Sequence, residues 1–221
     1  MTGRIRIGIA AVAAASALLL SACGGGDDGA EDEIEGVEEN TDAGGEESAE
    51  PSPSASEDDG IDRPEIELPD DVNNVFEEVD TDDPVELAVL ADHERRIESL
   101  DEALTSGDMN RPALGFYSTG QALESAVDWI EPAVTNGYSW KGTVRYYDRE
   151  VSVSNATEAT VNYCVDETDI EGIYRETGEP RDEGGDEDAT GHLFYNTRLE
   201  KNDQGVWQTT MVDSRTLEGP C

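Results

Sequence analysis

The chain has 221 residues, 53 of them acidic against 14 basic, for a formal net charge of -39. A surface this acidic excludes a nucleic-acid partner, since phosphates need a basic face and Arg95-Arg96 is the nearest approach to one. The length bounds the rest at one folded domain with one core plus unstructured chain.

Met1 to Ile9 carry Arg4 and Arg6 and no acid, and Ala10 to Leu20 follow as an apolar run broken only by Ser16. This is the n-region and h-region of a secretory signal. The run is shorter than the roughly 20 residues a membrane-crossing helix needs, and glycines follow it. Leu20-Ser21-Ala22-Cys23 resembles the lipobox of bacterial lipoproteins, in which an aliphatic and two small residues precede a cysteine that takes diacylglycerol. The resemblance implies removal of residues 1–22 and lipidation of Cys23, which would hold the protein at the outer face of the cytoplasmic membrane. The alternative is an ordinary secretory signal with an incidental cysteine. Two or three acyl chains on one cysteine give stable anchoring, at about 0.8 kcal/mol per buried CH2.

Acids crowd residues 24 to 83, where Arg63 is the sole base, and apolar residues are scarce before Ile61. Gly, Glu, Asp, Ser and Pro cannot bury enough apolar surface to offset ordering entropy, so residues 23–67 are expected to form a disordered tether. A coil of this length spans roughly 35 to 40 Å, and self-repulsion extends it. The same composition is open to a second use as a binder of cations or of a basic partner. Pro51-Ser52-Pro53-Ser54-Ala55-Ser56 also has the composition of an O-glycosylated stalk.

The domain is expected over residues 68–221, helices first. Asp82-Asp83-Pro84 opens a helix, with acids at its positive end and Pro where no N–H is needed. Leu87, Leu90, Ile97, Leu100 and Leu104 then recur at helical spacing until Ser106-Gly107. Ala113 to Tyr117 reads as a turn of helix, and Gln121 to Val134 as a second amphipathic helix with Leu123, Ala126, Val127, Ile130 and Ala133 on one face. From Tyr138 the period becomes two: Trp140, Val144 and Tyr146; Val151 and Val153; Val161, Tyr163 and Val165; Leu193, Tyr195, Thr197 and Leu199. Asn202-Asp203-Gln204-Gly205 is a hairpin turn, and Val206 to Arg215 the last strand. The acidic, Gly- and Pro-bearing residues 167–190 read as a long exposed loop. Helices followed by antiparallel strands make an α+β domain, with the helices on one face of a curved sheet.

Ala91-Asp92-His93-Glu94-Arg95-Arg96, Tyr146-Tyr147-Asp148-Arg149-Glu150, Tyr163-Cys164-Val165-Asp166-Glu167 and Leu199-Glu200-Lys201-Asn202-Asp203 resemble a family of actinomycete lipoproteins and secreted proteins, Streptomyces especially. The order of elements is similar to the cone-shaped fold of nuclear transport factor 2, SnoaL-like cyclases and ketosteroid isomerase. That fold hosts enzymes, binding modules and assembly domains alike, so it implies no reaction.

With Cys23 lipidated, Cys164 and Cys221 are left as an even pair outside the cytoplasm, and a disulfide between them would close a long loop worth roughly 4 kcal/mol. Free thiols or a redox pair are the alternatives, and neither has the C-x-x-C spacing that activates a thiol. His93 and His192 belong to no H-x-x-x-H pattern, so no metal site is expected, and His93 reads as part of a charged, solvated face. The oxygens of Asp166 to Gly172 fail the EF-hand spacing, leaving weak calcium binding as a secondary reading. Ser118 is one residue out of register for a nucleophile elbow, and no nucleotide fingerprint is present, so no cofactor and no catalytic residue is assigned. Trp140, Tyr146 and Tyr163 are expected to line the cone; as simple core they would need no ligand. Asp213 with Tyr146 is the pair that would serve an isomerase, whose chemistry needs a carboxylate base in an apolar cone. Two functions follow: a non-enzymatic envelope module that binds a partner protein, a wall component or a small ligand, and an isomerase- or cyclase-like enzyme. A cone filled by its own side chains favours the first, a pocket holding a buried carboxylate the second.

Overall fold

A computed structural model describes residues 59–181, 193–217 and 221. The signal segment, Cys23, most of the expected tether and His192 lie outside the described residues. The element order is β1 (Val72–Phe76), α1 (Pro84–Ser106), α2 (Pro112–Tyr117), α3 (Gly120–Thr135), β2 (Tyr138–Asn155), β3 (Glu158–Tyr174), β4 (Leu193–Lys201) and β5 (Trp207–Thr216). The domain is α+β, with one five-stranded sheet in the order β1-β2-β3-β4-β5. No helix among the described residues is long and apolar enough to cross a membrane.

The helix punctuation works as the sequence implies. Asp83 caps α1 by accepting from the backbone N–H groups of Val85 and Glu86, and Gly107 ends it at φ 72°, a left-handed conformation glycine adopts without strain. A side chain there would also strike the Arg175 guanidinium. That guanidinium donates to the carbonyls of Leu104, Val134 and Tyr138, tying the ends of α1 and α3 to the start of β2.

Four expectations need correction. The sheet is mixed, because β1 is an edge strand parallel to β2, pairing Val72 with Gly142 and Phe76 with Tyr146. Residues 167–174 are strand, not loop: β3 continues to Tyr174 against the first half of β2. The carboxylates of Asp166, Asp169 and Glu171 therefore sit along an extended strand, which cannot wrap a calcium ion as a loop would. Gly142 makes this pairing achievable, since at φ 118° a Cβ would lie 2.1 Å from the Asp169 carbonyl oxygen.

Third, the domain begins before residue 68. Arg63 reaches Asp92 on α1, the Glu67 N–H donates to Glu102, and Ile61, Ile66 and Leu68 pack on the core. Residues 59–68 are thus a strap across α1, and the composition that suggested a tether extends into chain with a packed role. Fourth, α1 has no wholly solvated face in its middle: Asp92, His93, Arg96, Asp101 and Glu102 are all buried, whereas Leu87 is exposed. The strap on one side and the sheet on the other account for this.

Val161, Tyr163 and Val165 face the core, and Cys164 points the other way to bond Cys221, with Cα atoms 6.2 Å apart. Strand β3 lies two places from β5, close enough for the C-terminal tail to return. Peptide mapping without reductant is expected to recover the Cys164 and Cys221 peptides linked, and two alkylatable thiols in the secreted protein would refute the bond.

Candidate functional site

Helix α1 presents His93, Arg96, Ile97, Asp101 and Leu104 at spacings of three and four, so one face carries them all toward the sheet. Against them stand Trp140, Val144 and Tyr146 from β2 and Val161, Tyr163 and Val165 from β3, with Leu199 and Trp207 beyond. Trp140, Tyr146 and Tyr163 therefore come together on the concave face. Asp213 does not join them. It is exposed on β5, three strands from Tyr146, because the register shifts by one residue at Thr210 and sets Asp213 opposite Asn196 on the outer face of the sheet.

The carboxylate that does join the aromatics is Asp101. Its Oδ2 accepts from the Asn74 side-chain amide at 2.7 Å, and the Tyr146 hydroxyl reaches the Asn74 Oδ1 at 3.5 Å. Asn74 lies on β1, so the missed edge strand is what links α1 to β2 here. Burial pushes the Asp101 carboxyl up to about 7, against the Asn74 bond, which favours the ionised form. Burial also raises Tyr146 well above its ordinary value, with the Asp101 charge adding to the rise. Glu98 and Glu167 are raised by burial as well.

His93 meets the Tyr163 ring edge-on at 4.8 Å between centroids, and neither ring nitrogen has a hydrogen-bond partner among the described residues. Burial, then the charges of Arg149 and Arg96, hold it well below its usual pKa, so it is a neutral imidazole. Arg96 is 5% exposed, its Nε has no partner, and it forms no ion pair among the described residues. Around it are the phenols of Tyr163, Tyr195 and Tyr146. Tyr195, half-buried on β4, stacks on Tyr163 with centroids 5.1 Å apart and planes 6° apart. The neighbouring cation, Arg149, has an ion-pair partner: it bonds Glu94 at 2.6 Å and donates to the Glu77 carbonyl, while its Nε, like that of Arg96, has no partner among the described residues.

A recess of about 700 Å³ opens elsewhere, beside the Cys164–Cys221 bond, between Glu77, Asp148, Phe194 and Arg215. The concave face instead holds polar groups and aromatics packed against one another.

Sequence reading missed Asp101, Arg96 and Asn74, though a signal existed. Asp101 stands four residues after Ile97 and three before Leu104, and His93 three after Leu90, which are core positions of the same stripe.

No family model and no curated protein matches the chain. Among solved structures, similarity is found to a ketosteroid isomerase-like protein of Erwinia carotovora atroseptica, at 14% identity and a TM-score of 0.40 over 62% of this chain and 99% of that one. LinA is similar at 12% identity and a TM-score of 0.39, over 59% of this chain and 84% of that one. An NTF-2 like protein of unknown function from Shewanella oneidensis is similar at 15% and 0.35, over 57% and 97%. At these TM-scores the likeness carries no functional reading, which has to come from the residues of this chain.

Proposed function

We propose that this protein is an extracytoplasmic lipoprotein, anchored through Cys23, whose α+β domain recognises a ligand at the concave face of its sheet without transforming it. The supporting observation is the set of polar groups that α1 buries there. Each unsatisfied buried donor or acceptor costs about 1 to 3 kcal/mol, and apolar residues of similar shape would avoid that cost. His93, with two unpartnered nitrogens, and Arg96, with an unpartnered Nε, are the groups such a cost would remove unless they serve another end. The anchoring half rests on Leu20-Ser21-Ala22-Cys23 and on the acidic chain after it. Protein solubilised from its native membrane is expected to carry a small bound molecule, detectable by native mass spectrometry, and only bare protein from that source would count against recognition. Cys23→Ser is expected to leave the protein uncleaved or released into the medium; an unlipidated wild-type mature chain by intact mass would end the anchoring reading.

Asp101 favours a second reading, an isomerase-like enzyme. A carboxyl with a pKa of about 7 beside a phenol is suited to taking and returning a proton near neutral pH. A bound ketone would then exchange its α-protons for deuterium at a rate rising through pH 7, and Asp101→Asn would abolish the exchange. Retention of those protons by every ketone that binds sustains recognition alone.

A further inference from the structure

The charges on the concave face do not balance, and the imbalance identifies what would complete it. Two guanidinium groups reach this region. Arg149 is neutralised by Glu94. Arg96, equally deep, faces phenols and a neutral imidazole, with no carboxylate partner among the described residues. Asp101 does not serve it: its bonded oxygen is committed to Asn74. A buried cation without a partner costs several kcal/mol, and a guanidinium presents its donors in a fork that fits a carboxylate. His93, one helical turn before Arg96, adds an unpartnered donor and acceptor.

The most accessible member of this group is Tyr195. It is the outer, half-buried member of the pair whose inner member, Tyr163, abuts His93, so a planar body approaching from that side meets a tyrosine face first. Planar groups stack on such faces in offset or edge-on arrangements worth about 0.5 to 1.5 kcal/mol beyond area burial.

We propose that the concave face binds a small aromatic carboxylate, its anion on Arg96 and its ring against Tyr195. The proposal rests on the concave face being a ligand site and adds the ligand's class. It also makes anion binding informative, because a protein of net charge -39 gathers no anions by its overall field. Binding of one therefore reports a local site.

The test titrates the full-length protein in detergent with sodium benzoate, benzyl alcohol and inorganic phosphate, following tyrosine fluorescence and the thermal midpoint. Benzoate is expected to saturate, benzyl alcohol to bind at least tenfold more weakly, and phosphate, lacking a ring, to bind more weakly still. Arg96→Met is expected to bring benzoate down to the benzyl alcohol level. Tyr195→Ala, at the rim, is expected to weaken benzoate severalfold while leaving near-ultraviolet circular dichroism of the other aromatics in place, and it serves if Arg96→Met does not fold. Equal binding of benzoate and benzyl alcohol, or full benzoate binding by Arg96→Met, would overturn the assignment of an anion while leaving a ligand site. Tighter binding of phosphate than of benzoate would overturn the aromatic part. No binding of any of the three, with a bound molecule of another class from the native membrane, would overturn this proposal alone; with nothing bound from either source, the recognition reading falls too.

Discussion

Asp101→Asn is expected to stabilise the domain by on the order of 4 kcal/mol at pH 8 and to change its stability little at pH 4. The folded protein holds this carboxyl near 7, against an ordinary value of 3.8. Below 3.8 both folded and unfolded chains keep the proton. Between 3.8 and about 7 the unfolded chain releases it while the folded chain keeps it, so stability falls as pH rises. Above 7 both are ionised, and the full cost of burying the charge is present. Asparagine has no charge to desolvate and keeps one oxygen to accept from the Asn74 amide, giving up the bond that the carboxyl makes with the Trp140 side chain at every pH. Glu98 and Glu167, also raised by burial, act with the same sign and leave a residual slope in the variant. Urea unfolding at intervals from pH 4 to 8 measures this, and wild-type and variant curves that stay parallel throughout would show that Asp101 is not the group responsible.

The same residue shows where sequence reading succeeds and where it stops. Strands β2 to β5 and helices α1 and α3 are legible because alternation and helical spacing survive in Val161-Tyr163-Val165 or Ala126-Ile130. Strand β1 escapes notice: Val72, Asn74 and Phe76 alternate inward over only five residues, set between acidic stretches ahead of the first helix. Asp101 was passed over because a carboxylate on a helix is normally taken to face water, and what covers it, Asn74 on that unrecognised strand, was not in view. Asp213 shares sequence parity with Trp207, yet the extra residue at Thr210 reverses that parity in β5 and turns Asp213 to the outer face, which alternation alone does not reveal. The disulfide was legible from an even cysteine count and a compartment.

The strap yields the other large effect. A chain beginning at Asp59 is expected to keep the stability of the longer protein, whereas one beginning at Pro69 should lose several kcal/mol of it. The shorter chain lacks Ile61, Ile66 and Leu68, whose side chains pack on the core, and the Glu67 N–H that Glu102 accepts. It also lacks Arg63, leaving Asp92 without its cation. Asp92 is 2% exposed, accepting at 2.9 Å from the Trp207 N–H and at 3.3 Å from the Arg63 Nε. Burial raises its pKa, and the Trp207 and Arg63 contacts oppose the rise without cancelling it. Removal of one partner from a buried ion pair typically costs about 3 to 5 kcal/mol, because the remaining charge is left unmatched. Arg63→Ala should therefore exceed Asp92→Ala in cost: it leaves the Asp92 charge buried without its ion-pair partner, whereas Asp92→Ala strands one β5 backbone donor and leaves Arg63 paired with Asp59 at 2.8 Å near the surface. Denaturant midpoints of the two truncations and the two substitutions test the order. A chain from Pro69 as stable as one from Asp59 would return these residues to the tether. The expected result instead joins residues 59–68 to α1 and β5, at the buried Asp92 carboxylate that accepts from both Arg63 and Trp207.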